Sequence, residues 1–303
     1  MADKPLKDKW KPQGRVESLY LTLISNLLKP VKKEVMKAAA SGDVDKVAKL
    51  LIKASKSRLF NRKSKEIAKK IVNLEWNMQE KDWRTAARKA SKNPEFYQLL
   101  QLNLKGDIKT RYDEIIEQNA KIIKTLPEDI SRGVVKHISR RQFEGQRPEK
   151  LAPEIKSFFI EHTRAKEKLI ARTESSKCKE ALMQARSESV GVRWAQWVST
   201  DDRRTRPAHA FMDGVIFDYK HPPAAEELAK KAGKYKGKTY GHYGPGNIFN
   251  CRCYSAPVIS LKYLRYPIQV YDWKKNALVK MSKEEFIEFT KLHRSYCDLW
   301  DEF

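Results

Sequence analysis

The sequence has no apolar run close to the about 20 residues that a membrane-spanning helix requires. The longest apolar stretch, Leu19 to Leu28, is interrupted by the polar residues Thr22, Ser25 and Asn26. The N-terminal residues 1–5 are not followed by the apolar core of a secretory signal. We therefore expect a protein that does not require a membrane.

Cysteine is also scarce. Four cysteines in 303 residues do not make a disulfide framework, so we expect the chain to fold in a reducing cytoplasm.

No internal repeat is visible, and the segment from Gly233 to Thr239 is not a phosphate-binding loop. It has three residues between its glycines where that loop needs four, and no apolar strand precedes it. This excludes nucleotide hydrolysis.

Positive charge, in contrast, is abundant, with 62 lysines and arginines against 38 aspartates and glutamates and a net charge of +24. Residues 1–150 carry 35 basic and 19 acidic side chains, a surplus of +16, and residues 151–303 carry 27 and 19, a surplus of +8. Such a surplus favours a polyanionic partner over a merely solvated surface, because balanced charge would give solubility with less self-repulsion.

The residue pattern predicts an α+β protein, with a helical N-terminal half followed by a small antiparallel or mixed sheet flanked by helices. Residues 1–13 are predicted to be a flexible basic arm, 14–150 a helical basic domain, and 151–303 an α+β domain with a C-terminal helix. Leu19, Leu23 and Leu27 predict the buried face of a first helix, which Pro30 should interrupt. Four strands are expected after Gly191, near residues 192–198, 215–218, 252–259 and 268–272.

Two lysine-rich segments are candidate DNA contacts. The first lies on a predicted helix, where the lysines can neutralise phosphates or can form an ordinary solvated face. The second is a loop whose lysines surround Tyr235 and Tyr240 and can contact a nucleic-acid backbone without sequence preference. The candidate residues are Lys63, Lys65, Lys69, Lys70, Lys234, Lys236 and Lys238.

Cys251 and Cys253, together with His209, offer the thiolate and imidazole ligands that zinc prefers. Two cysteines separated by one residue lie about 7 Å apart on a regular strand, so both can bind one ion only if the chain turns there. The fourth ligand is left open between His242, His221 and Asp213. The alternative is a buried cysteine pair beside a histidine that bonds a turn.

The segment from Asp201 to Arg206 contains two acids and three bases. One interpretation is a metal-dependent nuclease that uses Asp201, Asp202, His209 and His242. The favoured interpretation is structural: a salt-bridged loop that attaches the strand of Trp197 to the helix of Arg172 and Glu174. No further carboxylate cluster supports catalysis, so we do not expect an enzyme.

Taken together, these residues resemble the head-morphogenesis family of tailed bacteriophages, whose minor head proteins carry a Mu F-like domain. The resemblance covers about residues 165–260 and depends on one ordered pattern, namely Ala171-Arg172-Thr173-Glu174, Gly191, Trp197, Asp201-Asp202, Thr205-Arg206, His209, Asp213-Gly214, Asn250-Cys251-Arg252-Cys253 and Pro257.

The resemblance implies a virion component that associates with the portal protein during head assembly and lies near the packaged double-stranded DNA. It implies a role in DNA packaging or ejection, with the scaffolding or major capsid protein as further partners. The location would be inside the head near the portal, and the host cytoplasm during assembly. The family carries no assigned catalytic residues or cofactor, and a structural zinc ion is compatible with this role.

Overall fold

The computed structural model describes residues 10–11, 14–90, 107–144 and 150–292. Within these described residues, five long helices precede the sheet: α1 (Gly14–Ala39), α2 (Val44–Lys56), α3 (Arg58–Ala90), α4 (Asp107–Phe143) and α5 (Leu151–Ser189). They are followed by β1 (Trp194–Val198), α6 (Pro207–Phe211), β2 (Ile216–Asp218), α7 (Ala225–Lys231), β3 (Tyr254–Pro257), a short 3-10 helix (Leu261–Tyr263), β4 (Ile268–Asp272), β5 (Ala277–Met281) and α8 (Lys283–Leu292). The predicted α+β class is confirmed.

The chain divides into two compact units that are interleaved along the sequence. The helical unit comprises Gly14–Leu74 and Asp113–Ser175, and the sheet unit comprises Met1–Gln13, Glu75–Tyr112 and Ser176–Phe303. Helices α3, α4 and α5 contribute residues to both units. The predicted domain division at residue 150 stays a prediction. The predicted basic arm, residues 1–13, lies almost entirely outside the described residues.

Helix α1 of the helical unit buries Val16, Tyr20, Ile24 and Leu28, at four-residue spacing. The stripe predicted from Leu19, Leu23 and Leu27 is therefore displaced by one residue, since those leucines are only partly buried. Tyr20 can occupy the core because its hydroxyl donates a hydrogen bond to Asn119 Oδ1 over 2.8 Å. A buried hydroxyl needs such a partner.

The predicted interruption at Pro30 is wrong. Pro30 lies inside the continuous helix α1, and Pro127 lies in the same way inside α4. A proline in a helix removes one backbone hydrogen bond and costs about 3 kcal/mol. Burial on both sides of Pro30, at Leu28 and Val35, offsets this cost, because tertiary packing supplies most of the stability of a helix in a protein.

The sheet unit contains a five-stranded mixed sheet in the order β3-β1-β2-β4-β5. Strand β1 is antiparallel to both β2 and β3, β2 is parallel to β4, and β4 is antiparallel to β5. Strand β5 was not predicted from the sequence. Its side chains are mostly half-buried, and this burial leaves only a weak apolar alternation.

Alternate residues of β1 face opposite sides of the sheet. Ala195 and Trp197 pack with Phe217 of β2, Met212 and Leu228 on one side. This side is where the short helices α6 and α7 lie and where the candidate site is built. In the described part of the chain, no helix is both long and apolar enough to cross a membrane.

Candidate functional site

His209 lies on α6, a five-residue helix that starts at Pro207. Proline suits the first position of a helix because its fixed φ is helical and because an N–H at that position would have no partner within the helix. The His209 side chain is 2% exposed and its ring meets Trp197 edge-on, with 5.5 Å between the ring centroids. The imidazole is therefore inside the core of the sheet unit.

The two cysteines meet His209 from a turn that immediately precedes β3. Asn250 has a φ of +54°, a left-handed conformation that asparagine tolerates, and the chain turns before Cys251. The sulfurs of Cys251 and Cys253 lie 3.3 and 3.5 Å from His209 Nδ1. Both cysteines are 3% exposed, so the cluster is closed to solvent.

The other ring nitrogen of His209 faces a second pair of polar side chains. Its Nε2 lies 2.9 Å from the Tyr243 hydroxyl and 3.6 Å from Glu226 Oε1. Tyr243 in turn donates a hydrogen bond to Glu226. The buried cluster thus runs from two sulfurs through one imidazole to a tyrosine and a carboxylate.

Protonation in this cluster is uneven. The hydrogen bond from Cys253, supported by His209, lowers the pKa of the Cys251 thiol below its ordinary value despite burial. The pKa of Cys253 is raised, because its hydrogen is shared with Cys251 and burial disfavours a second charge. Burial and the bond to Glu226 raise the pKa of Tyr243.

Within the described residues, His209, Cys251 and Cys253 form a group of three possible metal ligands with all ligand atoms within 4.8 Å of one another. The other predicted ligands lie elsewhere. His242 is exposed and its Nδ1 is 3.0 Å from the Pro222 carbonyl oxygen. His221 bonds Asp218, with 2.7 Å between Nδ1 and Oδ2. The remaining alternative, Asp213, accepts a hydrogen bond from the Ser199 N–H over 2.7 Å.

The residues of the nuclease hypothesis are not brought together among the described residues. Asp202 forms a bidentate ion pair with Arg252, with Nη2 2.7 Å from Oδ1, and this pairing holds the pKa of Asp202 well below its usual range. Asp201 is an exposed turn residue with a φ of +48°. His209, as described above, is buried.

A salt-bridged loop is therefore present, and its Asp202 pairs with Arg252 of the turn before β3. Arg172 pairs with Glu17 inside the helical unit, with 3.2 Å between Nε and Oε1. Glu174 is buried on α5. The pairing of acids and bases was visible in the sequence, whereas the choice of partner was not.

Two further motif residues fix the site's loops. Arg206 Nη2 donates to the Phe249 carbonyl oxygen over 2.9 Å, next to the cysteine turn. Gly214 has a φ of +83° and its N–H bonds the Trp197 carbonyl oxygen over 2.8 Å. Sequence reasoning did not find Glu226 and Tyr243, because a carboxylate on a lysine-rich helix and a tyrosine in a polar loop carry no distinctive spacing.

A basic surface lies on the helical unit. Residues 44–74 carry ten lysines and arginines against two acids. All ten are exposed: Lys46, Lys49, Lys53, Lys56, Arg58, Arg62, Lys63, Lys65, Lys69 and Lys70. Lys65 pairs with Glu117, and Arg62 lies 3.7 Å from Glu66. We call these ten side chains the basic surface.

A second cationic patch lies on the sheet unit. Lys234, Lys236 and Lys238 are exposed in the loop after α7. The exposed rings of Tyr240 and Phe249 meet edge-on, with centroids 5.5 Å apart. The Arg206 guanidinium lies 4.8 Å from the Phe249 ring centroid and the Lys238 ammonium 5.9 Å from that of Tyr240. Cations therefore alternate with aromatic faces.

Known proteins match the segment of the chain that contains the buried cluster. Residues 132–256 match the family described as Phage Mu protein F like protein. An uncharacterized protein of Haemophilus influenzae (strain ATCC 51907 / DSM 11121 / KW20 / Rd) is 31% identical over 153 residues, which is 50% of this chain and 30% of that protein. The chain thus spans less than a third of that relative's length. No solved structure matches significantly.

The family match confirms the resemblance over the segment that contains β1, β2, β3 up to Ala256 and the buried cluster. For this segment, the match supports the phage head-related class that the sequence pattern resembles.

Proposed function

We propose that the protein is a minor head protein of a tailed bacteriophage. In this role it binds packaged double-stranded DNA without sequence preference and associates with the portal protein. The observation that supports DNA binding is the basic surface, because residues 44–74 contain ten exposed cationic side chains and only two acidic ones. A duplex presents one negative charge about every 1.7 Å along its axis, so closely spaced cations release its counterions on binding.

The arrangement of these lysines supports contact along a strand rather than at one point. Lys49, Lys53 and Lys56 lie at positions i, i+4 and i+7 of α2, on one helix face. With Ile52 and Ser57 they line an open cavity of about 570 Å³. An open groove bordered by three ammonium groups suits a phosphate backbone and offers no base-specific geometry.

The cationic aromatic patch supports a second contact. Bases stack on exposed aromatic rings with little sequence preference, and Tyr240 and Phe249 offer two such rings beside Arg206 and Lys238. Double-stranded DNA does not expose base faces. This patch would therefore add phosphate contacts to duplex and stacking only to unpaired ends.

The proposed portal association, and the place inside the head, follow from the family's role. We expect the protein to co-purify with portal protein from procapsids, in advance of DNA packaging. Scaffolding and major capsid proteins are the next partners to test in the same preparation. Recovery of procapsids that contain portal protein but none of this chain would contradict the assignment.

DNA binding is tested by the salt dependence of affinity for a duplex of random sequence. Each lysine that neutralises a phosphate adds about 0.9 to the slope of log Kobs against log salt. Replacing Lys53, Lys56, Lys63 and Lys69 by glutamine should therefore lower the slope by up to about 3.6. The matched control replaces the exposed Lys274, Lys280, Lys283 and Lys291 by glutamine, an equal loss of charge.

The control separates a binding surface from a general effect of net charge. If the two quadruple variants lose the same affinity and the same slope, the basic surface has no special role and the DNA-binding proposal fails. Incubation of the wild-type protein with plasmid and Mg²⁺, Mn²⁺ or Zn²⁺ should leave the plasmid intact, and cleavage would support the nuclease instead.

A further inference from the structure

We propose that His209, Cys251 and Cys253 bind one zinc ion that cross-links α6 to the turn before β3. This site is independent of DNA binding. It joins His209 to Cys251 and Cys253, which lie 42 and 44 positions later in the sequence. Its ligands are the thiolate and imidazole groups that zinc favours.

The distances fit a tetrahedral ion. Zinc binds sulfur at about 2.3 Å and nitrogen at about 2.0–2.1 Å, so two tetrahedral ligands of this kind lie about 3.6 Å apart. The observed N···S distances from His209 Nδ1 are 3.3 and 3.5 Å. His209 Nδ1 can direct its single N–H or lone pair at only one sulfur. A metal ion that lies along the lone pair of Nδ1 can contact both sulfurs at once.

The backbone conformation allows Cys251 and Cys253 to bind one ion although only one residue separates them. On a regular strand, Cys251 and Cys253 would be about 7 Å apart. They instead lie before the first residue of β3, after Asn250 in its left-handed conformation. The turn brings both sulfurs within 4.8 Å of the same imidazole nitrogen.

The surroundings of His209 resemble the outer shell of a zinc site. A histidine that ligates through Nδ1 keeps a proton on Nε2, and that N–H is normally held by a carboxylate or another acceptor. Here Nε2 is 2.9 Å from the Tyr243 hydroxyl, which donates to the buried Glu226. This arrangement fixes the ring and its tautomer toward the two sulfurs.

The described residues supply three ligands and no fourth histidine, cysteine or carboxylate within reach. A buried set of three protein ligands gives a cross-link that holds the fold. The burial of all three residues, at 2–3% exposure, denies a substrate access to the ion. We therefore assign the ion a structural role.

The test is elemental analysis of the full chain purified without a metal-affinity tag or chelator. We expect close to one zinc per chain, and about zero in Cys253→Ser. The matched control is Cys178→Ser, because Cys178 is also a buried cysteine but lies on α5 outside the cluster. This control should keep its zinc.

Cobalt provides a readout that needs no variant, because Co²⁺ accepts the same ligands. The refolded cobalt protein should show thiolate-to-metal charge-transfer absorption, which decides the question even if Cys253→Ser does not fold. Fewer than about 0.2 zinc per wild-type chain would overturn the proposal, since structural zinc normally fills its site. A Cys251–Cys253 disulfide in the mass spectrum of alkylated protein would overturn it equally.

Discussion

A methyl group added at Gly246 should destabilise the sheet unit far more than one added at Gly241, although the two backbone φ angles are nearly identical. The φ values are +80° and +81°, so both substitutions by alanine carry the same left-handed strain of about 1–2 kcal/mol. A less flexible unfolded chain offsets this by about 0.4–1 kcal/mol. For Gly241, where a Cβ would meet nothing within 4 Å, we expect a net loss of about 0–1.6 kcal/mol.

At Gly246 the new Cβ would lie 2.7 Å from Glu180 Cγ and 3.0 Å from the Cys253 carbonyl oxygen. Glu180 cannot easily move, because its carboxylate is buried and accepts hydrogen bonds from the Ser255 N–H at 3.1 and 3.2 Å. Overpacking of this kind costs typically about 1–3 kcal/mol. The loss of unfolding free energy caused by Gly246→Ala should therefore exceed the loss caused by Gly241→Ala by about 1–3 kcal/mol.

The assay is urea unfolding of both variants and the wild type, followed by tryptophan fluorescence. Equal midpoints for the two variants would refute the reasoning, because only the contacts with Glu180 and Cys253 distinguish the two positions. A change in the slope of free energy against urea would indicate an altered unfolded state and would have to be excluded first.

Two further changes probe buried polar pairs. Asp218→Asn should destabilise the protein by about 3–5 kcal/mol at pH 7, because it removes the negative charge that lies 2.6 Å from the largely buried Arg193 guanidinium. Burial raises the pKa of Asp218, but bonds from Arg193 and His221 outweigh it and hold that pKa below its ordinary value. The stability difference from wild type, measured by urea unfolding, should therefore be full above about pH 4 and vanish as the pH falls through the native pKa; a difference constant down to pH 2 would contradict this. Tyr20→Phe should cost about 1–2 kcal/mol in the same assay, because Asn119 Oδ1 loses its buried donor, and an unchanged midpoint would refute it.

The sequence was most informative where a residue type has few alternative uses. Cysteine and histidine are rare in this chain, so their clustering at His209, Cys251 and Cys253 predicted the group that the structure brings together. The position of β4, residues 268–272, was predicted and is confirmed.

Other features could not be predicted because they depend on contacts distant in sequence. Leu19, Leu23 and Leu27 share their four-residue spacing with the stripe that includes Tyr20, and the bond from Tyr20 to Asn119 allows the tyrosine stripe to be the buried one. Pro30 remains helical because of packing on both sides. Glu226 carries no local sign that it faces an imidazole.

The density of unusual residues between Asp201 and Cys253 has a physical explanation that needs no catalysis. Asp202 binds Arg252, Arg206 binds the carbonyl oxygen of Phe249, and His209 meets both cysteines. Each bond therefore links the segment around α6 to the same short turn before β3. A turn with little regular secondary structure has few backbone partners of its own, so charged and sulfur-containing side chains must supply its attachments. A zinc ion at the centre would complete this set of attachments, and the exposed lysines would remain free to meet DNA.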